Sequence, residues 1–176
     1  MKVIPVSITP DQFKAGMRRL AASVCVITVQ NADGSRNGLT ATAVCSMSAN
    51  PPTLLCALNR SSNSFPAIQK VGAFGVNVLG PHHHDVAQRF SSSIAGDEKF
   101  QIGAWNTIDT GAPLLRSAVV AFDCRVSALF EVATHGVLIG EIVGLELGDD
   151  AAPLLYGDGS YGAFTVREAL AAAGVA

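Results

Sequence analysis

Apolar residues along this chain recur in two rhythms. Phe13, Met17 and Leu20 stand at helical spacing behind Thr9-Pro10-Asp11-Gln12, a capping box with proline at the first helical position, which predicts a short amphipathic helix. Residues 24–29 then form an unbroken β-rich run, Asn31-Ala32-Asp33-Gly34 carries turn chemistry, and residues 39–47 return as mixed small and apolar positions. That pattern predicts a hairpin. Pro51-Pro52 stops it, and residues 53–58 form a third strand whose near-continuous apolarity predicts burial on both faces. Phe65, Ile68 and Val71 mark a second helix over 64–71, capped by Asn63 or Ser64. Another strand follows over 73–79, and Val86 and Phe90 give the inward face of a helix after Gly80-Pro81.

Residues 91–112 are rich in Ser, Gly, Asp and Thr and predict a mobile loop carrying Lys99, Phe100 and Trp105. The last third returns to strands over 118–132 and 136–147, with shorter ones around Tyr156 and Tyr161. Many short strands, few helices and no β-α alternation predict a mainly β fold, a closed or partly closed antiparallel barrel. With no repeat or linker, one domain is expected over 1–176.

Composition sharpens this picture. The 176 residues are 49% hydrophobic and only 15% charged, a sparse surface that predicts a subunit interface. The net charge is -2 and no basic run exceeds Arg18-Arg19, so a nucleic-acid partner is not expected. The apolar runs fall well short of the roughly 20 residues of a membrane helix, and the opening Met-Lys-Val-Ile-Pro lacks a signal-peptide core, which predicts a cytoplasmic protein. Cys25, Cys45, Cys56 and Cys124 stand singly in strand-like segments and are expected to be buried free thiols.

The candidate chemistry is polar rather than nucleophilic. In one extended strand, Thr40, Thr42, Ser46 and Ser48 would share a face, with Ala41, Ala43, Cys45 and Met47 opposite. Such a face suits a flat, oxygen-rich ligand; a hydroxyl-bearing solvent face with alanines inward suits the same spacing. Arg60 among Asn59, Ser61, Ser62 and Asn63 concentrates donors fit for a phosphate. Asn and Ser there also serve a helix cap, which leaves Arg60 as the residue that capping does not explain. His82-His83-His84 cannot converge on one ion from a regular element and is expected in a solvated loop, so no metal is expected. His84 or Asp85 could touch a ligand where the helix begins. Gly157-Asp158-Gly159 carries the Asp-Gly hairpin signal. No G-x-G-x-x-G, Walker pattern or nucleophilic triad is present.

Taken in order, Gly38-Leu39-Thr40-Ala41-Thr42-Ala43-Val44, Asn50-Pro51-Pro52, Asn59-Arg60-Ser61-Ser62-Asn63, Phe74-Gly75-Val76-Asn77-Val78-Leu79, Arg89-Phe90 and Gly157-Asp158-Gly159 resemble the short-chain NAD(P)H:flavin oxidoreductases. These are flavin reductase domain proteins that serve two-component monooxygenases, and the likeness runs from about Phe13 to Phe164. It implies a Greek-key, FMN-binding split β-barrel with a few short helices, a homodimer, and FMN or FAD in a groove near the dimer interface. It further implies that Thr40, Ala41, Thr42, Ala43 and Val44 border the flavin ring, and that Ser46, Arg60, Ser61 and Ser62 hold the phosphate, supported by Asn59 and Asn63. Asn77, Val78 and Leu79 would line the groove, with Arg89, Phe90 and Lys99 at its rim. His135, as the catalytic orienting residue, and Gly157, Asp158, Gly159 and Tyr161 would meet NADH or NADPH. The expected activity is hydride transfer to flavin, which then diffuses, reduced, to an oxygenase component. Reduction of another acceptor, a corrin or ferric iron, is the alternative on the same fold, and a non-catalytic flavin-binding module is a third reading.

Overall fold

The computed structural model describes residues 7–149 and 152–164. Its helices are α1 (Pro10–Met17), α2 (Ser64–Val71), α3 (His84–Ser91) and α4 (Gly96–Lys99). Its strands are β1 (Ala22–Ser23), β2 (Cys25–Gln30), β3 (Arg36–Ala41), β4 (Val44–Ala49), β5 (Pro52–Asn59), β6 (Ala73–Val78), β7 (Trp105–Asn106), β8 (Leu114–Leu115), β9 (Val120–Val132), β10 (His135–Leu147), β11 (Leu154–Gly157) and β12 (Ser160–Ala163). The fold is mainly β, as expected.

Seven strands form one antiparallel sheet in the order β3-β2-β6-β9-β10-β5-β4. β3 and β4, consecutive in the chain, thus lie on its two opposite edges. Only Thr42 and Ala43 separate them, and the three Cα steps from Ala41 to Val44 reach about 11 Å at most. The edges are therefore drawn together, and the sheet rolls into a split barrel whose seam is a covalent link rather than a hydrogen-bonded ladder.

This corrects the single strand expected over 39–47. Thr42 and Ala43 interrupt the ladder, β3 pairs with β2 and β4 with β5, so Thr40 and Ser46 belong to different margins and do not share one pleated face. The burial expected of the third strand is corrected too. In β5 only Leu54, Cys56 and Leu58 are buried, on one face, and their neighbours are half-buried. The strand truly buried on both sides is β2. Its Cys25, Ile27 and Val29 join one core, with Phe74, Leu138 and the α2 residues Phe65 and Ile68; the flanking Val24 and Val26 join a second, with Leu79, Phe90, Phe100 and Leu114.

Residues 91–112 are not a free loop. They hold α4 and β7, and the Phe90, Phe100 and Trp105 rings pack at centroid distances of 4.9–5.4 Å. Asp123, fully buried, accepts the backbone N–H groups of Asp109 and Thr110, both at 2.8 Å, and the Thr110 hydroxyl, tying down the far end of the segment.

Three of the four cysteines are buried; Cys45, on edge strand β4, is exposed, against expectation. Burial pushes the Cys25 and Cys124 thiols up to about 12 and raises that of Cys56 as well. A thiol reagent at pH 8 is therefore expected to label one cysteine of the native protein rapidly and the other three only on denaturation. Mass spectrometry of the alkylated peptides checks this, and fast labelling at Cys25, Cys56 or Cys124 would contradict the packing.

Candidate functional site

A groove of about 370 Å³ opens where four segments converge: Asn37–Thr40 of β3, the turn Ser61–Ser64, the end of α3 from Phe90 through Ile94, and Gly96 with Lys99 of α4. Local chemistry builds each wall. Asn59 accepts both the N–H and the hydroxyl of Ser61 through Oδ1, at 3.0 and 2.9 Å, which curls the turn. Asn63 is the N-cap of α2, one of the two expected candidates, but its side chain makes no cap bond; the Ser62 hydroxyl accepts the Phe65 N–H at 3.3 Å instead. The Thr40 hydroxyl donates to the carbonyl of Ala87 at 2.7 Å and holds β3 to α3.

Among the described residues, the only cation lining this groove is Lys99. Its side chain is 8% exposed, and its ammonium donates to the carbonyls of Gly38 at 3.2 Å and Phe90 at 3.1 Å, leaving a third N–H. No carboxylate among the described residues pairs with it, and burial lowers its pKa. An ammonium without an acidic partner among the described residues, on a groove lined with serines, has the chemistry to attract an anion.

Thr40 and Ser91 carry the groove on into a second hollow of about 270 Å³, lined also by Val24, Ala41, Thr42 and the rings of Tyr156 and Tyr161. The polar end is thus followed by an apolar, aromatic one. Flavin phosphates have this polarity, a phosphate on a hydroxylated chain leading to a flat ring, and the donor set fits them.

The structure gathers Thr40, Ala41, Thr42, Ser61, Ser62, Asn63, Phe90, Lys99 and Tyr161 along this trough. It does not bring the remaining candidates there. Arg60 turns the other way: its guanidinium meets the Glu131 carboxylate at 2.7 Å and the Ala133 carbonyl at 3.2 Å, on the β9–β10 hairpin. Ser46 is exposed on β4, and Val44 packs against the first core. Asn77 is fully buried, donating to the Val26 carbonyl and accepting the Leu115 N–H at 2.7 Å; it staples β2, β6 and β8, while Val78 and Leu79 sit in the cores. Arg89 donates to the Glu98 carbonyl and to Gln101, bracing α4.

His135 opens β10 opposite Asn59, with its Nδ1 2.9 Å from the Thr134 hydroxyl, and does not line the trough. Gly157-Asp158-Gly159 lies in the β11–β12 turn, where Asp158 and Gly159 take the two positive φ values, 50° and 79°, of a two-residue hairpin. In one protomer the histidine and this turn are therefore on separate hairpins. Nor are the three histidines merely solvated. His83 is buried, accepts the Gly80 N–H at 3.0 Å and lies 2.9 Å from the Ser117 hydroxyl, and His84 stands edge-on to Tyr161. Asp85 accepts the Val86 N–H. No group of three or more metal-ligating side chains occurs among the described residues. Ser91, Ser92 and Tyr156, all on the trough, carry no motif that would have marked them beforehand.

A rolled seven-stranded sheet with a phosphate-to-ring trough across its seam is the frame of a flavin protein, and the chain belongs to the flavin reductase-like domain family, whose model matches residues 17–165. Among its relatives is the FMN reductase (NADH) RutF of Ancylobacter novellus, 43% identical over 150 residues, covering 85% of this chain and 82% of that one. FMN reductase (NADH) RutF 2 of Rhizobium rhizogenes is 37% identical, covering 89% and 92%. The crystal structure of a flavin reductase domain protein from Arthrobacter superposes with a TM-score of 0.82 at 31% identity, covering 92% of this chain and 99% of that one. The styrene monooxygenase flavin reductase of Pseudomonas putida superposes at 0.79 with 25% identity, covering 88% and 98%.

Proposed function

We propose that this protein is an NADH-dependent flavin reductase acting on FMN. The observation that carries the reading is the buried Lys99, with no acidic partner among the described residues, at the serine-lined end of a trough that becomes aromatic toward Tyr156. The names of the relatives, FMN reductase (NADH), support the donor and the acceptor. Nicotinamide C4 supplies a hydride and flavin N5 accepts it, chemistry that belongs to the two cofactors.

The chain's part is positioning. Lys99 with Ser61 and Ser62 anchors the phosphate, Thr40 and Ser91 flank the ribityl chain, and Ala41 and Thr42 offer backbone groups and small side chains to the ring. Holding two rings in contact accounts for much of such a barrier. Lys99 thereby takes the role first expected of Arg60.

One feature supports a homodimer. Phe130 and Val132 on the β9–β10 hairpin, Met47 on β4, and Leu145 and Leu147 on β10 are all exposed apolar side chains. A partner protomer also offers the route by which the His135 hairpin would reach a trough. We further read the chain as one domain that supplies reduced flavin to a separate oxygenase, consistent with neighbours that are reductase components of monooxygenases and halogenases. No described helix is long and apolar enough to cross a membrane.

Anaerobic mixing with NADH and FMN tests the activity. The flavin absorbance is expected to bleach catalytically, many equivalents per protein; a protein that takes up FMN but leaves it yellow would be a binding module instead.

A further inference from the structure

Lys99 reaches the groove from an element that cannot hold itself there. Helix α4 is a single turn, Gly96–Lys99, and its N-cap, Ala95, makes no side-chain bond, so it has neither the length nor the cap that stabilises a helix on its own. Its one buried side chain is Lys99, whose ammonium gives up water to sit there. Left to itself, such a turn would be free to swing out and return the charge to solvent. Something outside the groove must hold it in.

The hold comes from the far side of the turn. Arg36, at the start of edge strand β3, donates from Nε to Asp97 Oδ1 at 2.8 Å, and its guanidinium carbon lies 4.5 Å from the centre of the Phe100 ring. One side chain thus grips the second residue of α4 and the residue that follows its last. Phe100 is buried in the second core, which anchors the grip, and Arg89 adds its bonds to the Glu98 carbonyl between the two. The backbones fit as closely, since a Cβ on Gly96 would run into the Arg36 carbonyl oxygen. Arg36, Asp97 and Phe100 themselves do not line the groove.

We propose that Arg36 is a positioning residue for flavin binding: by clamping α4 through Asp97 and Phe100 it holds the Lys99 ammonium toward the phosphate without touching the flavin. This rests on the flavin reductase reading, with Lys99 at the phosphate. A donor held in place beforehand does not have to be ordered when the ligand arrives, and affinity gains by that saving. The Arg36 and Asp97 side chains are 32% and 55% exposed, so their ion pair is weak as a source of stability. Its effect is expected at the site instead.

Arg36→Ala and Asp97→Asn, each made alone, test this by fluorescence titration with FMN and with riboflavin, which lacks the phosphate. Both variants are expected to weaken FMN binding about three- to tenfold and to leave riboflavin binding unchanged. The sign for Asp97→Asn separates positioning from field. That substitution removes a negative charge near an anion, so an ion pair acting through its field alone would make Asp97→Asn bind FMN more tightly and Arg36→Ala less tightly; release of α4 weakens both. On a Lys99→Met background, Arg36→Ala should change FMN affinity no further, because the clamp acts through the lysine.

Tighter FMN binding by Asp97→Asn would overturn the proposal, as would an unchanged FMN affinity in Arg36→Ala, an equal loss for riboflavin, or a further loss on the Lys99→Met background. A parent protein that binds FMN and riboflavin equally would instead remove the phosphate reading of Lys99, and this inference with it, before any variant is made.

Discussion

Replacing Lys99 by Met is expected to weaken FMN binding by about ten- to a hundredfold, the loss of a hydrogen bond to a charged group being roughly 1.5–3 kcal/mol. Methionine retains most of the volume but not the three donors. Fluorescence titration of FMN measures the effect, and a Kd within twofold of the parent would remove Lys99 from the phosphate site. Fold stability should fall less, by about 1–2 kcal/mol, since only the bonds to the Gly38 and Phe90 carbonyls are lost and the desolvated charge goes with them.

The same lysine sets two pH responses of opposite sign. Burial lowers its pKa below the ordinary value of about 10.4, so across the window between the two values the unfolded chain binds more protons than the folded one. The contribution of Lys99 to stability therefore rises with pH through that window. FMN affinity should fall over the same range, because the phosphate needs the ammonium. Titrations at alkaline pH on parent and Lys99→Met check this: the variant should lose the slope in affinity.

The second large effect is expected at Gly136. A Cβ there would fall 1.9 Å from Cε2 and 2.5 Å from Cζ of Phe65, a ring buried in the first core. Gly136 is held on both sides, paired with Leu58 and with Glu131, so the strand cannot yield and the ring must. Gly136→Ala should cost about 3 kcal/mol, at the upper end for overpacking, and lower Tm by roughly 6–12 °C in a chain of this size. Phe65 is the second residue of α2, and Ser61 and Ser62 lead directly into that helix. FMN binding should therefore weaken along with stability. The double variant Gly136→Ala/Phe65→Leu should recover much of the Tm; a melting curve unchanged by Gly136→Ala alone would contradict the contact.

Local rules made much of this legible. The capping box at Thr9, the helical spacing of Phe65 and Ile68, and the Asp158-Gly159 turn all depend on neighbours within a few residues, and all formed. What escaped was decided by residues far away in the chain. Nothing in Thr42-Ala43 resembles a breaker; the strand ends there because β3 and β4 have partners at opposite margins of the sheet. Residues 91–112 have a loop's composition, yet Phe100 packs on Phe90 and Trp105 and lies under the Arg36 guanidinium at 4.5 Å. Arg60 read as a phosphate donor that capping did not explain, because Glu131, its partner, comes from the far hairpin. The family likeness named the serine turn and Lys99 as candidates, and the folded chain puts them on one groove, but the pairing of each cation could come only from the folded chain.

Thr42, the first residue of the link that joins the sheet's two margins, is also part of the trough's wall. A molecule lying there rests against the hinge of the roll, with β3 running out to one rim and β4 to the other. Filling that hollow is therefore expected to stiffen the link between the two rims, and loosening the link to weaken the grip on whatever lies there.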